Sequence, residues 1–240
     1  IPVENIDLID RYVADGSSYA VVDKLGKGSF AKLKEKVKDR LFAIANDIIK
    51  LAAARELVNG IQINTDKKIL EDFQKSAGFD YTKDQKRSIR EIFTDLSSGR
   101  VMDRLLSGDV GFGKTEVAMN AMLAVILDGY QAIFVCPTTL LATQHYHSMQ
   151  KRFSEFGISI AKLDGKTSAK EKTHIKKGLE SGEIKLVIGT HSLLEIKTNN
   201  LALVIIDEEH KFGVKQKEKL KHLREDVHIF SMSATPIPRT

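Results

Sequence analysis

The sequence predicts an α/β fold in which a doubly wound, mostly parallel sheet follows a long helix and a few short β segments. Apolar runs of strand length alternate with helical segments after residue 100, as is typical of parallel sheets whose strands are joined by helices. One strand-like run leads into a glycine-rich loop and a helix, over 101–127. Another, Leu203 to Ile206, ends in acidic residues. We expect both loops at the carboxyl end of the sheet, where such folds bind ligands.

The composition is that of an ordinary globular protein and excludes several classes. The 240 residues carry a formal net charge of +5, a mild basic bias that permits a polyanionic partner without requiring one. The single cysteine, Cys136, excludes a disulfide framework within the chain and suits a reducing cytoplasm. No apolar run approaches the ~18 residues of a membrane span, and no signal peptide is recognisable. Because the first residue is Ile1, we expect a fragment of a longer cytoplasmic protein with no membrane partner.

Three parts are predicted along the chain. Residues 1–28 contain short alternating apolar segments, which are too short to close a sheet alone. Residues 29–60 are predicted to form a long helix, capped by Ser29 and stopped by a left-handed turn at Asn59-Gly60. Its apolar stripe at spacings of three and four consists of Phe30, Leu33, Val37, Leu41, Ile44, Ile48 and Leu51. Residues 61–240 form the predicted α/β domain.

Helices and strands of that domain follow from the hydrophobic pattern. Helices are expected over Asp66–Ser76, Thr82–Leu96 and Glu116–Leu127. Beyond the run at 101–106, strands are predicted over Gln131–Cys136, Ile158–Leu163, Ile184–Ile188, Leu203–Ile206 and Val227–Met232.

The glycine-rich loop fits the phosphate-binding pattern G-x-x-x-x-G-K-[ST] without a mismatch. Its eight residues are Gly108, Asp109, Val110, Gly111, Phe112, Gly113, Lys114 and Thr115. Backbone N–H groups over 110–115 would hold the β-phosphate, at the start of a helix whose dipole favours negative charge. Lys114 would reach the β- and γ-phosphates, and the Thr115 hydroxyl would bind Mg²⁺. This loop therefore predicts ATP and Mg²⁺ as ligands.

The second chemical signal is the acidic end of the strand Leu203–Ile206. Asp207 directly follows four apolar residues, so its carboxylate would emerge at the carboxyl end of the sheet and hold Mg²⁺. Glu208 is placed to orient and deprotonate the attacking water. His210 could couple the nucleotide site to a nucleic-acid site, or could be a surface histidine. Lys114 and Glu208 are thus the predicted catalytic residues.

Two interpretations of Gln85 stay open. Thr82-Lys83-Asp84-Gln85 fits a capping box, which explains the residue as a helix cap. Phe79, Thr82 and Gln85 also have the spacing of an adenine-recognition element ahead of a phosphate loop, since a Gln amide can both donate to and accept from adenine.

Small polar residues follow three other strands. Thr138 and Thr139 come after the first, Gly189-Thr190-His191 after the second, and Ser233-Ala234-Thr235 after the last. Hydroxyls and backbone amides at such positions can bind a nucleic-acid backbone without reading its sequence. We expect the first two groups to contact DNA, and Ser233, Ala234 and Thr235 to couple the two sites.

Taken in order, these motifs resemble those of superfamily-two helicases and translocases. The resemblance covers Phe79 to Thr240 and implies the first RecA-like lobe of such a motor. Three further motifs narrow the resemblance to two families, the RecG-type branched-DNA helicases and the bacterial transcription-repair coupling factors. These motifs are Met102-Asp103-Arg104-Leu105-Leu106, Phe212-Gly213-Val214 and Ala234-Thr235-Pro236-Ile237-Pro238-Arg239. Phe112 and Glu209 are similar to the coupling factors, because RecG-type proteins usually have Ser and Gln there.

The amino-terminal part also resembles the coupling factors. Residues 1–28 are similar to the end of their RNA-polymerase-interacting β domain, and 29–60 to the linker helix before the motor. The family's tryptophan is Phe30 here, and its Gly-Gly is Gly26-Lys27-Gly28. The resemblance implies an ATP-driven translocase on double-stranded DNA that displaces stalled RNA polymerase and recruits excision-repair proteins. It also implies that a second lobe with an arginine finger is needed for turnover, so 1–240 alone should hydrolyse ATP poorly. The alternatives are a RecG-type helicase, or a nucleotide-dependent interaction module without translocation.

Overall fold

The computed structural model describes residues 34–43, 45–46, 58–196, 198, 200–208, 211–212 and 226–234. The chain divides into two compact units, Ile1–Ala52 and Ala53–Thr240. In the first unit the described residues form one helix, α1, over 34–43 and 45–46. Val37 and Leu41 of the predicted stripe lie on α1 and are 51% and 61% exposed. The β segments predicted within 1–28, and the helix start at Ser29, lie outside the described residues.

The predicted end of the long helix is wrong. Residue 58 is a bend, and Asn59 forms an isolated antiparallel bridge with Arg100. Gly60 is not in the left-handed region; a Cβ there would lie 2.4 Å from the Arg100 carbonyl carbon. Close approach of two chain segments, rather than a helix stop, therefore explains this glycine.

Six parallel strands form the sheet of the second unit, in the order β1-β6-β5-β2-β4-β3. This confirms the predicted α/β fold class, and each predicted strand overlaps an observed one. The strands are β1 Asp103–Ser107, β2 Gln131–Val135, β3 Ile160–Leu163, β4 Leu186–Gly189, β5 Leu201–Asp207 and β6 His228–Ser233.

Helices cover both faces of this sheet. Phe134 packs in a core cluster with α2 to α5, while its neighbours Ile133 and Val135 pack in a second cluster with α6. This alternation follows from the two-residue period of a strand. The helices are α2 Lys68–Lys75, α3 Lys83–Ser97, α4 Lys114–Leu127, α5 Thr139–Ser154 and α6 Ala169–Ser181, with a short 3-10 helix at His191–Glu195. No helix within the described part of the chain is long and apolar enough to cross a membrane.

A buried histidine connects two chain segments at the amino end of the sheet. His228 begins β6 and is 0% exposed. The Met102 N–H donates to its Nδ1 at 2.9 Å, and its Nε2 bonds the Ile61 carbonyl at 2.7 Å. An acceptor Nδ1 and a donor Nε2 define the neutral ring. Burial lowers the pKa of His228, in agreement with that neutral state.

Candidate nucleotide site

Strand β6 brings the two predicted chemical motifs together at the carboxyl end of the sheet. Met232 of β6 lies opposite Leu106 of β1 on one side and Asp207 of β5 on the other. Two interstrand spacings separate β1 from β5, about 10 Å. Beyond the strands, Gly108 N–H donates to the Ser233 carbonyl at 3.3 Å, and Glu208 N–H donates to the Met232 carbonyl at 2.9 Å. The phosphate loop and the acidic pair therefore lie at the same end of the sheet, the end at which the parallel strands have their carboxyl termini.

The phosphate loop has the backbone that its sequence predicts. Gly111 and Gly113 have φ values of 88° and 74°, which only glycine adopts readily. Gly113 is the N-cap of α4, and Lys114 and Thr115 are its first two residues. Val110 and Phe112 are 85% and 66% exposed. The loop thus surrounds the N-terminus of an almost completely buried helix, the geometry that binds phosphates.

Lys114 lies over the loop. Its Nζ donates to the carbonyls of Gly108 and Asp109 at 2.5 and 2.9 Å. The ammonium is therefore already held at the mouth of the loop, where phosphate oxygens can replace carbonyl oxygens as its acceptors.

At Gln85 the helix-cap interpretation is confirmed. Thr82 Oγ1 accepts from Gln85 N–H at 3.2 Å, and Gln85 Oε1 accepts from Thr82 N–H at 2.9 Å. The Gln85 Nε2 also donates to the Phe112 carbonyl at 2.9 Å, so the amide joins α3 to the phosphate loop. The Phe79 ring is half exposed and lies 5.4 Å from the Tyr81 ring. Adenine recognition by Phe79 and Gln85 stays a prediction.

Asp207 is held by a residue that sequence reasoning missed. Its Oδ2 lies 3.1 Å from His145 Nε2 of α5, and its side chain is 11% exposed. The His145 ring also packs against Phe134, with centroids 5.0 Å apart. Because a carboxylate has two oxygens, the bond to His145 is compatible with metal binding through the other.

Hard oxygen donors make this end of the sheet suitable for Mg²⁺. The Thr115 hydroxyl and the Asp207 carboxylate are ligands of the kind that Mg²⁺ prefers, and both lie at the carboxyl end of the sheet. Asp207 also belongs to a second group of potential metal ligands. The ligand atoms of Cys136, His145 and Asp207 lie within 4.8 Å of one another. Burial, followed by the charge of Asp207, raises the pKa of the Cys136 thiol far above its usual range.

Glu208 has an unusual backbone. Its φ is 55°, the only positive φ of a non-glycine residue among those the structure describes. A left-handed conformation costs a residue with a Cβ about 1–2 kcal/mol, and such strain clusters at functional sites. The catalytic role of Glu208 stays a prediction.

A buried polar network lies behind the phosphate loop, and sequence reasoning missed it too. Glu116, the residue after Thr115, accepts from Tyr81 Oη at 2.5 Å and from Arg152 Nη2 at 2.8 Å. Asn120 Nδ2 donates to Tyr81 Oη at 3.2 Å. Burial and the hydrogen bond to Glu116 raise the pKa of Tyr81, which keeps it a donor. The network ties α4 and α5 to the segment that precedes α3.

The predicted DNA-contacting residues lie at the carboxyl ends of β2 and β4. Thr138 is the exposed N-cap of α5, its Oγ1 accepting from Leu141 N–H at 3.3 Å. His191 is exposed, but Thr190 is only 7% exposed. At Gly189 a Cβ would lie 1.8 Å from the Leu163 carbonyl oxygen, so strand packing alone requires this glycine. DNA contact by Thr138, Thr139, Gly189, Thr190 and His191 stays a prediction.

The coupling residues are only partly described. Ser233 ends β6 beside the phosphate loop, and Ala234 follows it. His210 and Thr235 lie outside the described residues.

One signal could have revealed the missed residues on α5. Ala142, Met149 and Phe153 are buried on this helix. His145 and Arg152 fall on the same stripe by helical spacing. Polar residues on an apolar stripe need buried partners, but nothing in the sequence identifies Asp207 and Glu116, which lie 62 and 36 residues away.

Residues 82–240 match the family model of the DEAD/DEAH box helicases. The chain belongs to this family. Membership implies an ATP-binding domain of the ATP-driven hydrolase class, which usually works with Mg²⁺.

Curated relatives match the whole chain. It is 55% identical over 240 residues to the transcription-repair-coupling factor of Helicobacter pylori strain J99 and 43% identical over 242 residues to that of Bacillus subtilis strain 168. All of the chain is covered in both comparisons, but only 24% and 21% of these relatives. The chain thus spans about a quarter of their length.

A solved structure of RecG bound to a three-way DNA junction matches 88% of the chain and 28% of RecG. The TM-score is 0.72 and the sequence identity 42%. This similarity agrees with the RecA-like fold expected from the motifs.

Proposed function

We propose that the chain is the first ATP-binding lobe of a double-stranded-DNA translocase that displaces stalled RNA polymerase and couples transcription to excision repair. The observation that carries the motor part is the joining of the phosphate loop and the acidic pair through β6. Both motifs lie where a nucleotide triphosphate and its ion would fit between them.

Each residue of the site has a proposed task. Loop amides and Lys114 bind the phosphates, while Phe79 and Gln85 face the base. Thr115 and Asp207 would hold Mg²⁺, which neutralises phosphate charge when bound. Glu208 orients the attacking water and accepts its proton. The arginine finger would come from a second lobe, so we expect 1–240 to bind MgATP weakly and to turn it over slowly.

The coupling-factor part of the proposal is supported by the amino-terminal third of the chain. The family model begins at residue 82, whereas the similarity to transcription-repair-coupling factors includes residues 1–81. A RecG-type branched-DNA helicase is the second candidate, because the sequence of RecG in the matched structure is 42% identical to that of this chain.

Two substitutions test the enzyme against a nucleotide-dependent interaction module. In the full-length protein, Lys114→Ala should weaken MgATP binding by about 10- to 100-fold and remove turnover. Glu208→Gln should keep binding within about threefold and reduce DNA-stimulated hydrolysis by about a hundredfold or more. If Lys114→Ala abolishes the function of the protein while Glu208→Gln leaves that function normal, the enzyme proposal is contradicted and the interaction module is favoured.

Two substrates distinguish the translocases. The full-length protein is incubated with ATP and either a stalled transcription complex or a branched DNA fork. We expect release of the polymerase and little fork regression. The opposite preference would favour the RecG-type alternative.

A further inference from the structure

Helix α5 carries two polar side chains on its buried stripe, and each contacts a different part of the nucleotide site. His145 contacts Asp207, and Arg152, seven residues later, contacts Glu116. Residues seven apart lie on the same face of a helix, about 10 Å along its axis. One rigid element therefore touches both the strand end that would hold Mg²⁺ and the start of the phosphate-loop helix.

The Arg152 end of α5 is strongly anchored. The guanidinium donates to Glu116 at 2.8 Å, to the Phe73 carbonyl at 2.9 Å and to Ser76 Oγ at 2.7 Å. It also lies over the Phe73 ring, 4.1 Å from the centroid. Its ion pair with Glu116 is nearly buried, with 13% and 10% of the two side chains exposed. Removing one partner of such a pair is strongly destabilising. We therefore expect the Arg152 end of α5 to stay in place relative to α4.

His145 contacts the Asp207 carboxylate directly. A carboxylate only accepts hydrogen bonds, so the His145 Nε2 must carry the proton in the 3.1 Å contact with Asp207 Oδ2. Phe134 limits rotation of the ring, its centroid 5.0 Å away. A displacement of this part of α5 would therefore change the orientation of the Asp207 carboxylate.

The N-terminus of the same helix is where DNA contact is expected. Thr138 caps α5 and is exposed, and His145 is seven residues further on, about 10 Å along the axis. A DNA phosphate bound by Thr138 and Thr139 would hold the helix end, and the α-helical backbone would carry any shift to His145.

We infer that α5 connects DNA binding to the metal side of the nucleotide site, with His145 as the positioning residue for Asp207. This inference rests on the proposed function, since it requires that both DNA and MgATP bind. By linkage, DNA and MgATP then change each other's affinity by the same factor. His145 contributes to that factor, while Arg152 keeps the far end of the helix in place.

The test measures coupling rather than activity. MgATP affinity of the full-length protein is determined with and without a double-stranded DNA duplex, for the wild type, His145→Ala and His145→Gln. We expect DNA to change the wild-type affinity at least fivefold, the lower range of allosteric coupling. In His145→Ala that factor should fall below twofold. His145→Gln, whose amide can donate from a similar position, should restore much of it.

A matched control lies on the same helix. His147 is exposed, so His147→Ala should leave the coupling factor unchanged. ATP affinity measured in EDTA separates the metal-dependent effect from general damage, and should differ less than twofold between the wild type and His145→Ala.

Other outcomes would overturn the inference in distinguishable ways. If His145→Ala lowers MgATP affinity equally with and without DNA, and His145→Gln gives no rescue, then His145 only supports packing. If the wild type itself shows no effect of DNA on MgATP affinity, the translocase proposal fails together with this inference.

Discussion

The two ends of strand β6 have opposite characters. At its amino end His228 is fully buried, and both ring nitrogens have hydrogen-bond partners. At its carboxyl end Ser233 lies beside a loop whose Val110 and Phe112 are mostly exposed, and whose Gly111 and Gly113 have positive φ. One strand thus joins a closed end of the sheet, where the buried histidine is fully hydrogen-bonded, to an open end with an exposed loop.

This contrast separates stability from function within one sheet. The amino end satisfies its own polar groups, so changes there should affect unfolding and leave ligand binding intact. At the carboxyl end, Lys114 donates to loop carbonyls that phosphate oxygens can replace. Removal of the Lys114 side chain should therefore affect ligand binding more than unfolding. The predictions below test this separation, from the largest expected effect to the smallest.

Substitution at the amino end should have the largest effect. His228→Ala leaves the buried Met102 N–H and the Ile61 carbonyl without their partner, and should cost about 2–4 kcal/mol in the free energy of unfolding. Urea denaturation followed by circular dichroism measures it. His174 is exposed on α6, so His174→Ala should change stability by less than about 0.5 kcal/mol. Equal effects of the two substitutions would contradict the closed character of this end.

Lys114→Ala should weaken MgATP binding by about 10- to 100-fold, because it removes a charge-assisted contact to the phosphates. Binding of a fluorescent ATP analogue measures the effect. Stability should change by less than 1 kcal/mol, opposite to the result for His228→Ala. The control, Lys170→Ala, removes an exposed lysine of α6 and should leave binding unchanged.

At Gly113 the expected effect is divided between stability and binding. A Cβ there would meet φ 74° and lie 2.5 Å from Gln85 Nε2, so Gly113→Ala should cost about 1–2 kcal/mol and reduce nucleotide affinity severalfold. Gly157 has φ 69° with nothing within 4 Å. Gly157→Ala should therefore show the cost in stability without the loss of affinity. Denaturation and nucleotide titration of both variants separate the two effects.

The smallest effect is the pH dependence contributed by His228. Burial lowers the pKa of His228 below that of a histidine in the unfolded chain, so the unfolded chain takes up the proton first as the pH falls. Stability from this group is complete above about pH 6.5 and declines as the pH falls below it. Unfolding of wild type and His228→Gln between pH 7 and 5 should show a shallower slope for the variant. A steeper or equal slope would contradict the neutral state of the ring.

Local sequence patterns predicted most of the fold and the backbone of the site. Periodicity located all six strands, and the glycine pattern predicted the turn at Gly111 and Gly113, because these features depend on neighbours along the chain. The partners His145–Asp207 and Arg152–Glu116 could not be predicted in this way. They meet only after the helices pack on the sheet, and the residue types alone do not specify which partner is chosen. The wrong turn at Asn59-Gly60 has the same origin, since Gly60 is explained by the distant Arg100.

The left-handed backbone at Glu208 has a consequence for protein engineering. Asparagine tolerates that conformation better than glutamate, so Glu208→Asn should raise the melting temperature slightly. On the proposed catalytic role, the same change should abolish hydrolysis. A screen that selects only for heat resistance would therefore favour the loss of this carboxylate.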